Sequence, residues 1–156
     1  MTPATVKDLL DYVDGVLYWR VNKNRAKAGS VAGFTSALGY RCVGVNGRYY
    51  PAHRLVWLWH GRVLPRELDH INGNKTDNRI ENLRPATRGE NMRNVRLRKD
   101  NATGIKGVDF YKGKHRARIA VDKKTVYLGN FDSLEEAKNA ITTARNKHHN
   151  KFARHQ

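Results

Sequence analysis

The chain has 156 residues, of which 30 are Lys or Arg and 14 are Asp or Glu, a formal charge of +16. Such an excess attracts polyanions and argues against a small neutral metabolite as the natural ligand, leaving nucleic acid or an anionic membrane face. With 39% apolar residues, one cysteine (Cys42) and a longest apolar run of only Leu55–Trp59, the chain is expected to bury modest cores, to form no internal disulfide or cysteine-rich zinc site, and to span no bilayer. Lys7, Asp8 and Asp11 interrupt the place where a signal peptide needs an apolar segment, so a soluble, intracellular (cytoplasmic) protein is the expectation.

From the N-terminus, Thr2-Pro3 predicts a short helix through about Tyr12, because Pro at the first helical position forfeits no needed N–H. Gly15–Val21 reads as a strand. A hairpin is predicted around Tyr40–Tyr50, where Asn46-Gly47 tolerates the positive φ angles of a tight turn. His53–His60 is too apolar for a loop and reads as a buried helix, although its spacing matches neither period cleanly. His53 and His60, lying in that apolar segment, are expected to be satisfied core residues and not metal ligands.

Glu67–Asn91 is polar and crowded: Asp69-His70 sits where a strand meets a loop rich in Asn, Asp and Gly. Thr87 and Glu90 form a capping box, so a helix begins at Arg88 and carries Asn91 near its first turn. The segment is nearly neutral, with five acidic and four basic residues. Beyond it the charge steepens. Up to Met92 there are 14 basic and 8 acidic residues, and after it 16 and 6. Arg93-Asn94-Val95-Arg96-Leu97-Arg98-Lys99 followed by turn-forming Asp100–Gly104 reads as a basic connector or a solvated helix end, with a domain boundary near 95–102.

Three β segments are predicted downstream, Ile105–Tyr111, His115–Val121 and Thr125–Asn130. In the middle one, Arg116, Arg118 and Ala120 share one face, and Ala117, Ile119 and Val121 share the other. Ser133-Leu134-Glu135-Glu136 is a second capping box. It opens a helix with Leu134, Ala137, Ile141 and Ala144 on one side. Such a unit packs the apolar strand face on the helix and leaves a basic face open.

Hydrolysis of a phosphodiester needs an activated water and a cation to neutralise charge on the phosphate and the leaving oxygen. Neutral His70 can accept a proton from water near physiological pH, and Asp69 and Asn91 are hard oxygen donors suited to Mg²⁺ or Mn²⁺. An Asp-His pair within an Asn/Asp/Gly cluster is equally ordinary turn chemistry, and the residues alone leave both readings open.

His53-Arg54-Leu55-Val56-Trp57, Gly61, Leu68-Asp69-His70-Ile71-Asn72-Gly73-Asn74-Lys75, Asn78-Arg79-Ile80-Glu81-Asn82-Leu83-Arg84, Thr87 and Glu90-Asn91 closely resemble the homing-type and phage-encoded HNH endonucleases over roughly residues 15–95. The resemblance implies a ββα-metal module (about 62–95) with one divalent cation. It implies His70 as general base, Asp69 as metal ligand, Asn82 as the central Asn that holds the active-site loop, and Asn91 in the third position. Many relatives carry His where Asn91 stands, so this chain matches the HNN variant of the family.

Thr103–Val108, Gly113-Lys114, Ala117, Ile119, Tyr127-Leu128-Gly129-Asn130-Phe131-Asp132 and Glu135-Glu136-Ala137 are similar to the ethylene-response-factor (apetala-type) DNA-binding domain over about residues 102–152. That family lays its sheet in the DNA major groove. The resemblance thus implies Lys106, Tyr111, Arg116, Arg118 and Tyr127 as DNA contacts. Arg84 and Arg88, basic residues near the nuclease site, and Arg93 and Arg96 of the basic stretch are further candidates for phosphate contact, with a solvated surface role equally open for them. Asp109, Ala120 and Thr125 stand where the plant domains often present Arg.

The expectation is therefore an α+β chain: an N-terminal β-rich segment and ββα-metal nuclease module in 1–95, a basic connector in 96–101, and a three-stranded antiparallel sheet on one helix in 102–156. It is expected to act as a monomer that nicks double-stranded DNA with Mg²⁺ or Mn²⁺, without a membrane or small-molecule partner. The rival expectation is a DNA-binding regulator whose HNH fold no longer cuts.

Overall fold

The computed structural model describes residues 1–94, 97, 100–121 and 124–149, with Arg93 and His149 described by their backbone alone. Arg96 and residues 98 and 99 of the expected connector lie outside the described residues, as does the Arg93 side chain. The architecture is mixed α+β with small antiparallel sheets, and the chain divides into two compact units, 1–86 and 87–156. The passage between them falls at Ala86/Thr87, ahead of the helix that the sequence grouped with the nuclease segment.

In the first unit, α1 (Pro3–Leu9) is capped by the Thr2 hydroxyl, which accepts from the Thr5 N–H at 3.2 Å. The helix stops at Leu9, three residues short of the expected end. Leu10–Val13 instead forms β1 and pairs antiparallel with β2 (Val16–Trp19), which sends Leu10, Leu17 and Trp19 into the core. Pairing with a neighbouring strand outweighs local helical preference here.

β3 (Phe34–Thr35), β4 (Arg41–Val45) and β5 (Arg48–Pro51) form a sheet in that order. The β4–β5 turn places Asn46 and Gly47 at φ 50° and 74°, the hairpin geometry expected of that dipeptide. The next element, α2 (Ala52–Trp59), buries Ala52, His53 and Leu55–Leu58. A helix covered on nearly every side shows no polar stripe, which explains its unclear periodicity. It packs against α1, β4 and β5.

The last hairpin of this unit pairs β6 (Glu67–His70) with β7 (Leu83–Ala86), aligning Asp69 with Arg84 and His70 with Leu83. Leu68 and Leu83 anchor it in the same core as Val6, Val43 and Val56. Between the strands run a polar loop and a 3-10 turn, Ile80–Asn82. The Ile80 N–H donates to the Tyr12 hydroxyl at 3.3 Å, which ties this loop to the N-terminal hairpin.

The second unit begins with α3 (Arg88–Arg93), whose Thr87/Glu90 capping box is complete. β8 (Val108–Tyr111), β9 (Lys114–Val121) and β10 (Lys124–Phe131) form an antiparallel sheet with β9 in the middle, followed by α4 (Leu134–His149). The first strand starts three residues later than expected, because Asn101 and Thr103 fold the preceding segment into a turn. There the Thr103 hydroxyl donates to the Val108 carbonyl at 2.8 Å. Val108, Ala117 and Ile119 pack on Ala137, Ile141 and Ala144, the alternation and helix face the sequence predicts. Ser133 and Glu136 cap α4 reciprocally. Among the described residues no helix is long and apolar enough to cross a membrane.

Candidate active site

Asp69 and His70 close β6, and each is 5% exposed. Burial of a titratable pair at a strand end demands partners. His70 finds one in Asn78, whose Oδ1 lies 2.9 Å from His70 Nε2 and which is itself 2% exposed. With an amide oxygen facing the ring, Nε2 is the protonated nitrogen and Nδ1 carries the lone pair that can take a proton.

Two further rings flank His70. His53 of α2 meets it edge-on at 5.0 Å between centroids, and Tyr40 lies 5.6 Å from His53 and 6.2 Å from His70. His53 is buried, and its Nδ1 has no hydrogen-bond partner among the described residues, so it is not the satisfied core histidine expected. Burial foremost, then the neighbouring His70 and Arg54, pushes its pKa down to about 3. Burial raises the Tyr40 phenol, with the Asp69 charge adding to it. Lys75 reaches across from the polar loop, lying 4.7 Å over the Tyr40 ring and donating to the Leu38 carbonyl at 2.9 Å. His60 is half-buried, its Nδ1 2.9 Å from the Val56 carbonyl oxygen.

Asn82 organises the loop. Its Oδ1 accepts from the Asn72 N–H at 3.0 Å, and its Nδ2 donates to Asn72 Oδ1 at 3.0 Å and to the Asp77 carbonyl at 2.8 Å. Its own carbonyl accepts from the Ile71 N–H, directly after His70. Asp77 is clamped by Arg79 through Nε and Nη2 at 2.9 and 2.8 Å, and also accepts from Asn72 Nδ2 at 2.7 Å. The Arg79 bond, foremost among these, holds the Asp77 carboxyl down at about 2. Asn72, Asn74 and Asp77 also accept from backbone N–H groups two residues on, turns that only short polar side chains make.

Asp69 faces Arg84, its cross-strand partner. Arg84 Nε and Nη2 donate to Asp69 Oδ2 at 3.0 and 2.9 Å, in a pair whose side chains are 14% and 6% exposed. Arg84, expected against phosphate, is thus engaged with the expected metal ligand. Asn91 lies half-buried on α3 of the second unit, with Arg88 exposed at the start of that helix.

The donor set at Asp69 is one buried carboxylate already offset by a guanidinium. Among the described residues no three His, Cys, Asp or Glu side chains gather into a cluster. Hard oxygen donors of that kind fit a cation such as Mg²⁺ or Mn²⁺, which keeps several waters and takes few protein ligands.

In the second unit, Tyr111, Arg116, Arg118 and Tyr127 share the sheet face opposite the apolar one, with Tyr127 paired to Arg118 across β10–β9. Lys106 lies in the turn before β8, outside the ladder. Its carbonyl accepts from Arg145, a buried arginine of α4. The sequence pattern assigns no site role to Asn78, Tyr40 or Asp109. Asp109 was detectable by its register opposite Arg116, whereas Asn78 and Tyr40 needed the folded loop.

Residues 50–93 match the HNH endonuclease family model. The chain is similar to Protein 3.8 of Escherichia phage T7, 31% identical over 106 residues that span 65% of this chain and 87% of that protein. No solved structure matches the chain.

Proposed function

Because the chain belongs to the same family as phage Protein 3.8 and carries an HNH endonuclease segment, we propose that it is a divalent-metal-dependent endonuclease that nicks double-stranded DNA. The observation that carries this reading is the meeting of the motif residues in one buried network. His70 is held by Asn78, Asp69 lies beside it, and Asn82 pins the loop that follows.

His70 Nδ1 takes the proton of the water that attacks phosphorus, and its Nε2–H stays on Asn78 to keep the ring in that tautomer. Tyr40 and His53 wall the ring on the protein side and limit its rotation. Asn82 keeps the loop after His70 from shifting as substrate seats. Asp69 is assigned as one metal ligand, and Asn91 as the other on its sequence match. What Mg²⁺ or Mn²⁺ supplies there is neutralisation of charge on the phosphate and the leaving 3′ oxygen.

Residues 1–95 are read as the nuclease domain, 96–101 as connector, and 102–156 as an ethylene-response-factor type domain whose open face seats on duplex DNA. Its contacts are Tyr111, Arg116, Arg118 and Tyr127, with Lys106, Arg88, Arg93 and Arg96 on phosphates. The protein acts as a monomer, so one strand is cut per encounter. The phage relative supports a phage-encoded protein working inside the host cell.

Incubation with supercoiled plasmid and Mg²⁺ or Mn²⁺ should yield open circles that a chelator abolishes and that the His70→Ala variant does not form. A second reading, a DNA-binding regulator that no longer cuts, is favoured by the hold of Arg84 on Asp69. Equal nicking by wild type and His70→Ala, or none by either, would select it.

A further inference from the structure

The open sheet face of the second unit carries a carboxylate on its edge strand β8. Asp109 on β8 lies directly across from Arg116 on β9. It accepts from Arg116 Nε and Nη2 at 2.9 and 2.8 Å and from Arg118 Nη2 at 2.6 Å. The Arg116 guanidinium is also seated over the Tyr111 ring at 4.4 Å. One acidic side chain therefore ties two arginines together on a face whose side chains remain a quarter to a half exposed, at 27% and 49% for the arginines and 36% for Asp109.

A surface that only tracks phosphates gains nothing from this arrangement. The carboxylate repels phosphate and cancels charge that would otherwise draw the backbone in. It has a use where a guanidinium must point one way. Bonding through Nε and Nη2 occupies one side of the Arg116 fork and leaves the end edge, Nη1 and the second Nη2 hydrogen, without a partner among the described residues. Two parallel donors on that edge match O6 and N7 of guanine in the major groove. The rotamer freedom that a loose arginine would lose on contact is already given up on folding, so the contact costs less to make.

We propose that Asp109 is a specificity-determining positioning residue, which orients Arg116, with Arg118 as a second arm, to read guanine in the major groove of duplex DNA. This rests on the reading of the sheet as the DNA-facing surface. Duplex DNA is the fitting partner because the deep, narrow major groove of duplex RNA does not admit side chains to the base edges.

The test is selection of preferred sequences from a random duplex pool by the full chain, without divalent metal so that nothing is cut. Wild type would be compared with Asp109→Ala, Asp109→Asn, Arg116→Ala and the Asp109→Ala/Arg116→Ala double variant. Wild type should enrich sequences with guanine at one or more fixed positions. Both Asp109 variants should lose about tenfold in discrimination at those positions while their affinity for random duplex holds or rises. Asp109→Ala should cost less discrimination in the Arg116→Ala background than in the wild type, the remainder being the share carried by Arg118.

If the Asp109 variants discriminate as the wild type does, the inference is overturned and the DNA-facing reading stands. The inference falls in the same way if they lose specific and random binding together with an unchanged unfolding midpoint. A wild type that binds duplex but enriches nothing from the pool overturns the inference alone, and one that binds no duplex overturns the DNA-facing reading and the inference with it.

Discussion

Asn78 and His70 meet at 2.9 Å, Oδ1 to Nε2, where neither residue is more than 5% exposed. That contact fixes which ring nitrogen keeps its proton. Asn78→Ala removes the acceptor and leaves a buried N–H orphaned, at about 1–3 kcal/mol of stability. The base nitrogen is then no longer selected, so metal-dependent nicking should fall about a hundredfold. Plasmid nicking rates set against a thermal unfolding curve separate the two effects: activity lost only in proportion to unfolded protein would refute the positioning role.

Arg84 and Asp69 form a pair in which each guards the other's burial. Arg84→Ala removes the guanidinium that offsets a buried carboxylate, and breaking such a pair typically costs about 3–5 kcal/mol. A divalent cation can supply the missing positive charge. The stabilisation gained on adding Mg²⁺ or Mn²⁺ should therefore be larger in Arg84→Ala than in wild type, read as the shift in unfolding midpoint with and without metal. Equal shifts would mean that Asp69 is not where the cation binds.

Much of this arrangement was legible in the sequence because it depends on local chemistry. Asn46-Gly47, the two capping boxes and the alternation of Arg116 to Val121 each declare their geometry within a few residues. What the sequence hid depends on contacts between distant segments. Leu10–Val13 follows a capped helix and becomes a strand only because β2 is there to pair with it. Asn78 looks like any other loop amide until the loop folds back over His70. Arg84 looks like a free phosphate contact until the β6–β7 register sets it against Asp69.

His53 gives the protein a predictable sensitivity to acid. Its folded pKa lies near 3 against 6.5 for the free side chain, because burial, then His70 and Arg54, disfavour its charged form. Between those values the unfolded chain binds the proton and the folded one does not. Stability is thus full above about pH 6.5 and falls as pH drops through that window, by up to about 1.4 kcal/mol per pH unit. His53→Phe keeps a ring against Tyr40 and His70 but cannot take the proton. Denaturant unfolding from pH 7 to pH 4 should show a flatter decline for the variant. Parallel curves would place the acid sensitivity elsewhere.

Gly107 sits at the turn into β8 with φ +82°, and its carbonyl accepts from the Arg118 N–H at 2.9 Å. A Cβ there would come within 2.6 Å of the Arg118 carbonyl oxygen and 3.1 Å of Ile141 Cδ1. The first of these neighbours is backbone in the central strand and the second is a buried α4 side chain, so neither can step aside without moving the sheet or its core. Gly107→Ala therefore meets the left-handed φ penalty and a backbone clash together, at about 2 kcal/mol or more. Because the displaced strand is the one that carries Arg116 and Arg118, duplex binding should weaken along with the loss of stability. Gly113→Ala provides the contrast: its φ is also positive, at +78°, but a Cβ there meets nothing within 4 Å. It should cost only the backbone strain of about 1 kcal/mol and leave binding intact. If the two substitutions prove equally mild by thermal unfolding, the close packing of Gly107 under β9 is not what seats the sheet.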